Sequence, residues 1–195
     1  WFSAAYLLAA RIGCAFSQFA WPVLFGGFED DGLVPEVEIT VRRAQELGKL
    51  GFIPLCARTG TTQTAFIGTH SSQLPKKYFA DNTNAHAQMS AQLPYILATS
   101  RFAHYVKVIM RDKVGSFMTR GNVESYLNTW ISQYVLLDDN APNKAKAAFP
   151  LQTAKIAVTA VEGLPGAYQA TIFLQPHYQL EALTTSIRLV ASLPD

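Results

Sequence analysis

Six side chains in this sequence are of the kinds that carry nucleophilic, acid–base or metal chemistry near neutral pH: Cys14, Cys56, His70, His86, His104 and His177. Their spacing supports none of it. Zinc needs thiolates and imidazoles grouped at short intervals, and these residues are scattered through the chain. Neither cysteine has a histidine in a recognisable nucleophile context. His104 shares a helix face with three cations, which favours a structural hydrogen-bonding role. The acidic residues are dispersed, so no carboxylate pair stands out for acid–base work. Glu29-Asp30-Asp31-Gly32 is too short to be a calcium loop and reads as a turn. Gly60 and Gly68 precede no Gly-Lys-Ser/Thr, and neither a G-x-S-x-G elbow nor a dinucleotide fingerprint occurs. The expectation is therefore a protein without catalytic, metal-ligating or cofactor-binding residues.

Composition bounds the rest. Of 195 residues, 49% are apolar and only 15% charged, enough to build a core and too apolar for disorder. A net charge of +2, with no run of Lys/Arg longer than two, argues against a nucleic-acid footprint. The cysteines lie in apolar surroundings, which favours a reduced, cytoplasmic setting while leaving a single buried disulfide open. The chain begins with Trp1, and so reads as part of something longer. Residues 1–26 are strongly apolar, but Arg11 at mid-segment would cost about 2.5–3.5 kcal/mol in a bilayer. No basic flank marks a signal peptide. A buried core helix over 3–19 is expected, with Tyr6, Ala9, Ala10, Gly13, Phe16 and Ala20 as its packing stripe.

The stretch that must organise the chain runs from Leu93 to Val135. Pro94 suits the first turn of a helix, and nothing breaks the pattern before Lys113, with Gly115 as the stop. At helical spacing Arg101, His104, Lys107 and Arg111 share one side, while Phe102, Val106, Ile109 and Met110 share another. After Gly121-Asn122 a second helix carries Val123, Tyr126, Leu127, Trp130, Ile131 and Tyr134 as a buried stripe. Upstream, strands are expected at Trp21–Phe25 and Glu36–Val41, a short helix at Arg42–Leu50, and a hairpin of 51–57 with 63–67 around Arg58–Thr62. Residues 69–81 read as an exposed loop, and Asn84 as the cap of a short helix ending at Gln92. Residues 138–146 form a polar linker. Three strands follow, alternating at Ile156, Val158 and Ala160, then Ala170, Ile172 and Leu174, then Ile187, Leu189 and Ala191, with Gly163–Gly166 as the first turn. They make either a meander on the core or an exposed arm. The fold class is α/β (α+β mixed), a sheet packed with a long helical hairpin and followed by C-terminal strands. The division expected is 1–150 as core and 151–195 as the strand segment, completing that core or reaching a neighbouring subunit.

Several runs, in order, resemble the large subunit of the bacterial type VI secretion contractile sheath (the TssC/VipB family): PEVEITVRRAQEL, GFIPL, AFIG, SSQLPKKY, LPYILATSRFAHYVKVI with RDKVGSF, YLNTWISQYV, and PL…Y…QPH…L near the end. The resemblance spans essentially the whole chain and corresponds to the C-terminal part of the family's sequence. One departure is a longer Gly-rich loop that the family carries between Gly27 and Phe28. The resemblance implies a contractile tail-sheath-like structural protein rather than an enzyme. Its partners would be a small sheath subunit (TssB/VipA-like), further copies of itself, an Hcp inner tube, a baseplate and a ClpV-type unfoldase for recycling. The setting would be the bacterial cytoplasm, with neither nucleic acid nor membrane insertion and no cofactor.

The resemblance further implies that C-terminal strands are shared between subunits, with Ala170, Thr171, Ile172, Phe173 and Leu174 and then Ser186, Ile187, Arg188, Leu189 and Val190 as candidate joints. Glu124, Asn128, Ser132, Lys144 and Lys146 are candidates for the tube-facing surface. The face of Arg101, His104, Lys107 and Arg111 is either solvated or set against a neighbour's acidic residues. Two alternatives remain: a phage-like tail sheath protein, and an α/β enzyme domain whose site assembles only in space.

Overall fold

The computed structural model describes residues 2–27, 29–30, 32–58, 60–79, 81–113, 119–161, 168–177 and 187–192, with the side chains of residues 81, 82, 85, 86, 113 and 187–192 excepted. The expected stop at Gly115, the Gly163–Gly166 turn, the Gly27–Phe28 junction and Ser186 lie outside that set. Helices and antiparallel strands make up two compact units, Trp1–Leu97, where they are interspersed, and Ala98–Asp195, where the helices precede the strands.

In the first unit, α1 (Ala4–Phe19) starts at Ser3, whose hydroxyl accepts from the Ala5 N–H, and stops at Ala20. Ala20 is left-handed (φ 61°), and its N–H donates to the Phe16 carbonyl. A Cβ at such a position costs about 1–2 kcal/mol, so Ala20→Gly is expected to raise the melting temperature. An unchanged or lower value would refute that reading. Only Arg11 and Ala15 of α1 are buried; the expected packing stripe faces outward, with Tyr6 74% exposed. Burial was expected of the apolar stripe, yet the charged residue is what turns inward.

Two further expectations are corrected here. Trp21–Phe25 is largely buried but belongs to no ladder, Pro22 having no N–H to give one. Residues 36–40 form no strand either: Val37 is exposed, and Thr40 caps α2 (Val41–Lys49) by accepting from the Arg43 N–H. The hairpin is present, with β2 (Leu55–Ala57) antiparallel to β3 (Gln63–Phe66), and β1 (Glu29–Asp30) adds to the far side of β3. Its turn uses Gly60 at φ 75°, a conformation glycine adopts without a Cβ clash. Asn84 lies within α3 (Asp81–Ser90) rather than at its start, and its carboxamide clamps both the N–H and the carbonyl of Tyr78.

Helix α4 (Leu93–Lys113) and helix α5 (Arg120–Ser132) match the expected hairpin helices, with Thr119 as the α5 cap and Gly121-Asn122 inside its first turn. In the second unit Phe102, Val106 and Met110 of α4 are buried, as are Val123, Leu127 and Ile131 of α5. Tyr126 is exposed, and Trp130 and Tyr134 are half-buried, so the aromatic part of the predicted stripe sits at its edge. Within the polar linker a short helix, α6 (Asn143–Ala148), precedes the strands. Strands β4 (Leu151–Ala160), β5 (Tyr168–Pro176) and β6 (Ile187–Ser192) form an antiparallel meander in the order β4-β5-β6. Ile156, Val158, Ala170, Ile172 and Leu174 are buried on one face, with Ile156 opposite Ile172. Ala160 is exposed.

Candidate functional site

The C-terminal sheet has two outer strands, β4 and β6. β5 lies between β4 and β6 and pairs with both, so Ala170–Leu174 hydrogen-bond inside this chain and present no edge. Of the two candidate joint strands, β6 is the outer one. Among the described residues it pairs with β5 alone.

The other outer strand, β4, is closed by α5. Asn128 donates from Nδ2 to the Ile156 carbonyl (2.7 Å) and accepts the Ile156 N–H on Oδ1 (2.9 Å). Glu124 Oε2 accepts the Val158 N–H at 2.9 Å. Both residues were expected on a partner-facing surface; their polar groups are turned to the chain's own strand. Ser132 is exposed but donates to the Thr129 carbonyl of its own helix.

The basic face of α4 is outward, with His104, Lys107 and Arg111 exposed. Arg101 lies over the Tyr105 ring at 5.3 Å and donates to its hydroxyl at 2.9 Å. Lys144 is exposed, whereas Lys146 is half-buried and donates to the Asp139 carbonyl.

Two histidines are used structurally. His70 bridges to Gln92, whose Nε2 lies 3.0 Å from its Nδ1, and packs against Gly48, where a Cβ would come within 3.2 Å of the ring. His177 has a side chain 1% exposed, with Nδ1 3.9 Å from Asp139. Burial holds both imidazoles below the usual histidine pKa; for His177 the Lys146 charge adds to that, and Asp139 opposes it. A folded-state pKa below the unfolded one means that the unfolded chain takes up the proton first. Stability is then complete above about pH 6.5 and is lost as pH falls below it toward the folded values. Melting temperature is expected to drop between pH 7 and 5, and His70→Gln with His177→Gln to flatten the drop; an equal slope in the double variant would contradict this.

Cys14 is exposed and Cys56 buried, both unbonded, and burial pushes the Cys56 thiol up. The ring of His86 lies outside the described side chains. Among the described residues no group of three His, Cys, Asp or Glu gathers as metal ligands do. A cleft of about 600 Å³ in the first unit is bordered by Asp30, Val34, Glu38, Arg58 and Thr62, with neither histidine nor cysteine in its wall. Asp30 there accepts from the Thr62 hydroxyl (2.6 Å), and Arg58 donates to Gln63 (3.4 Å). No helix among the described residues is long and apolar enough to cross a membrane.

An outer strand such as β6 and outward-facing charge are features of a protein that builds assemblies. Residues 82–193 match the family described as EvpB/VC_A0108, tail sheath gpW/gp25-like domain. This chain belongs to that family, the large subunits of the type VI secretion sheath. Across its whole length it is 41% identical to the type VI secretion system sheath protein TssC1 of Pseudomonas aeruginosa (strain PAO1). It spans 43% of that relative, and the alignment covers 215 positions, so the relative carries residues this chain lacks. The family is one of structural sheath proteins.

Proposed function

We propose that this chain is the C-terminal part of a sheath subunit that polymerises, with a small sheath subunit and with copies of itself, around an Hcp tube. The assembled sheath contracts in the bacterial cytoplasm on a baseplate to drive the tube into a target cell, and a ClpV-type unfoldase recycles it. The observation that carries this reading is the outer position of β6 in a sheet whose opposite edge is closed. In this reading the segment 151–195 is the joint, and β6, through Ile187–Val190, pairs with a strand of a neighbouring subunit. Main-chain pairing suits a moving joint, because the bonds follow the strands while the bodies rotate about them. At about 0.5–1.5 kcal/mol net per hydrogen bond, four or five bonds hold each joint by a few kcal/mol, which a lattice multiplies. Lys107 and Arg111, with Lys144, present positive charge for an acidic neighbour.

The test is electron microscopy of the full-length protein co-expressed with its small sheath subunit. Long hollow tubes with helical ridges are expected. Particles of one or two chains under all assembly conditions would overturn the reading.

A further inference from the structure

The way α5 meets β4 is that of a strand substitute rather than of an ordinary helix-on-sheet contact. In an antiparallel ladder, alternate residues turn both backbone groups toward one neighbour. Ile156 and Val158 turn theirs away from β5, and that is where Asn128 and Glu124 bind. Two residues along a strand advance about 6.8 Å, and four along a helix about 6 Å, so residues four apart on α5 match successive outward positions of β4.

The chemistry matches as well. Ile156 offers one donor and one acceptor, and a carboxamide is the side chain that supplies the complement of both. The second Nδ2 hydrogen of Asn128 goes to the Glu124 carbonyl at 2.9 Å, which fixes the side chain to its own helix. Past the end of α5 the main chain takes over: the Leu151 N–H donates to the Tyr134 carbonyl and its carbonyl accepts from the Leu136 N–H. Outward groups of β4 are therefore met at Leu151, at Ile156 and at the Val158 N–H.

We propose that Glu124, Asn128 and the 134–136 segment form an edge guard, which keeps β4 from pairing with a strand of a second copy of this chain. An unguarded edge strand is a template for such pairing, and a nearby outward lysine or proline is the usual deterrent. Here the guard occupies the hydrogen-bonding groups themselves. It makes strand addition to this sheet one-sided, whether or not β6 takes a neighbour's strand.

The test uses the full chain carrying Glu124→Ala and Asn128→Ala, substitutions that favour the helix itself. Residue-resolved hydrogen exchange at Ile156 and Val158 is measured at low and high protein concentration, beside sedimentation. In the wild type both amides are expected to exchange slowly at either concentration. In the double variant they should exchange at least tenfold faster when dilute, and regain protection as larger species appear. Unchanged rates would show that these side chains do not close the edge. Fast exchange at every concentration would show that the opened edge takes no strand. Either result overturns the proposal. Should the double variant not fold, Asn128→Asp serves, since it keeps an acceptor for the Ile156 N–H and removes the donor to its carbonyl. That variant should self-associate at lower concentration than wild type, and equal association would be equally fatal.

Discussion

Replacing Phe102 with alanine is expected to cost about 3–5 kcal/mol, the range for large aromatic truncations in a packed core. Phe102 is 0% exposed. Its ring stands edge-on to Trp130 (centroids 6.2 Å apart) and to Tyr134 (5.6 Å), while Trp130 and Tyr134 are themselves edge-on at 5.4 Å. Such contacts each add about 0.5–1.5 kcal/mol beyond burial, and truncating Phe102 removes two of them. Val106 and Met110, one and two turns further along α4, are as buried and hold the helix in place, so the cavity cannot easily collapse. Trp130→Ala should cost less, about 2 kcal/mol, because that side chain already meets solvent. Tyr126→Ala, at an exposed position of the predicted stripe, should fall within about 0.5 kcal/mol of wild type. Denaturant midpoints for the three variants give the ranking. Equal losses for Phe102→Ala and Tyr126→Ala would show that the core is not where these contacts put it.

The second large effect is expected at Arg11, which is 4% exposed. Its guanidinium donates to the Thr64 carbonyl (2.9 Å), the Thr64 hydroxyl (2.8 Å) and the Gly27 carbonyl (3.1 Å), and lies 5.3 Å from the centre of the Phe66 ring. Glu29 stands 3.6 Å from Nε and is more than half exposed, so its charge is largely solvated and counts for little. Hydrogen bonds from a charged donor contribute about 1.5–3 kcal/mol each, but they share one anchored group and do not add in full. Arg11→Ala should destabilise the first unit by about 3 kcal/mol. Arg11→Lys should recover only part of this, since a single ammonium cannot fork to Thr64 and Gly27 together. Wild-type stability in Arg11→Ala would mean that α1 is held by its apolar contacts alone.

Arg11 also explains why the sequence was misleading about α1. Hydrophobic spacing places the helix at 3–19 correctly, because a helix is a local pattern. Which side faces inward is not local. A buried guanidinium needs acceptors, and those come from Thr64, fifty-three positions away, and from the backbone at Gly27. Meeting that need turns Tyr6, Ala9 and Phe16 outward.

The same division holds elsewhere. The periods of α4, α5, β4 and β5 were legible, as were the place of β6 and the hairpin around Gly60, since each depends on neighbours within a few residues. Sheath membership was legible too, from several motifs in the right order. Trp21–Phe25 and Glu36–Val41 failed as strands because a strand exists only when another strand accepts it. Glu124 and Asn128 were candidates for a tube-facing surface. Only the tertiary structure gave them their partner: β4 lies some thirty residues on, and hydrogen-bond complementarity to a strand edge leaves no periodic mark in the sequence.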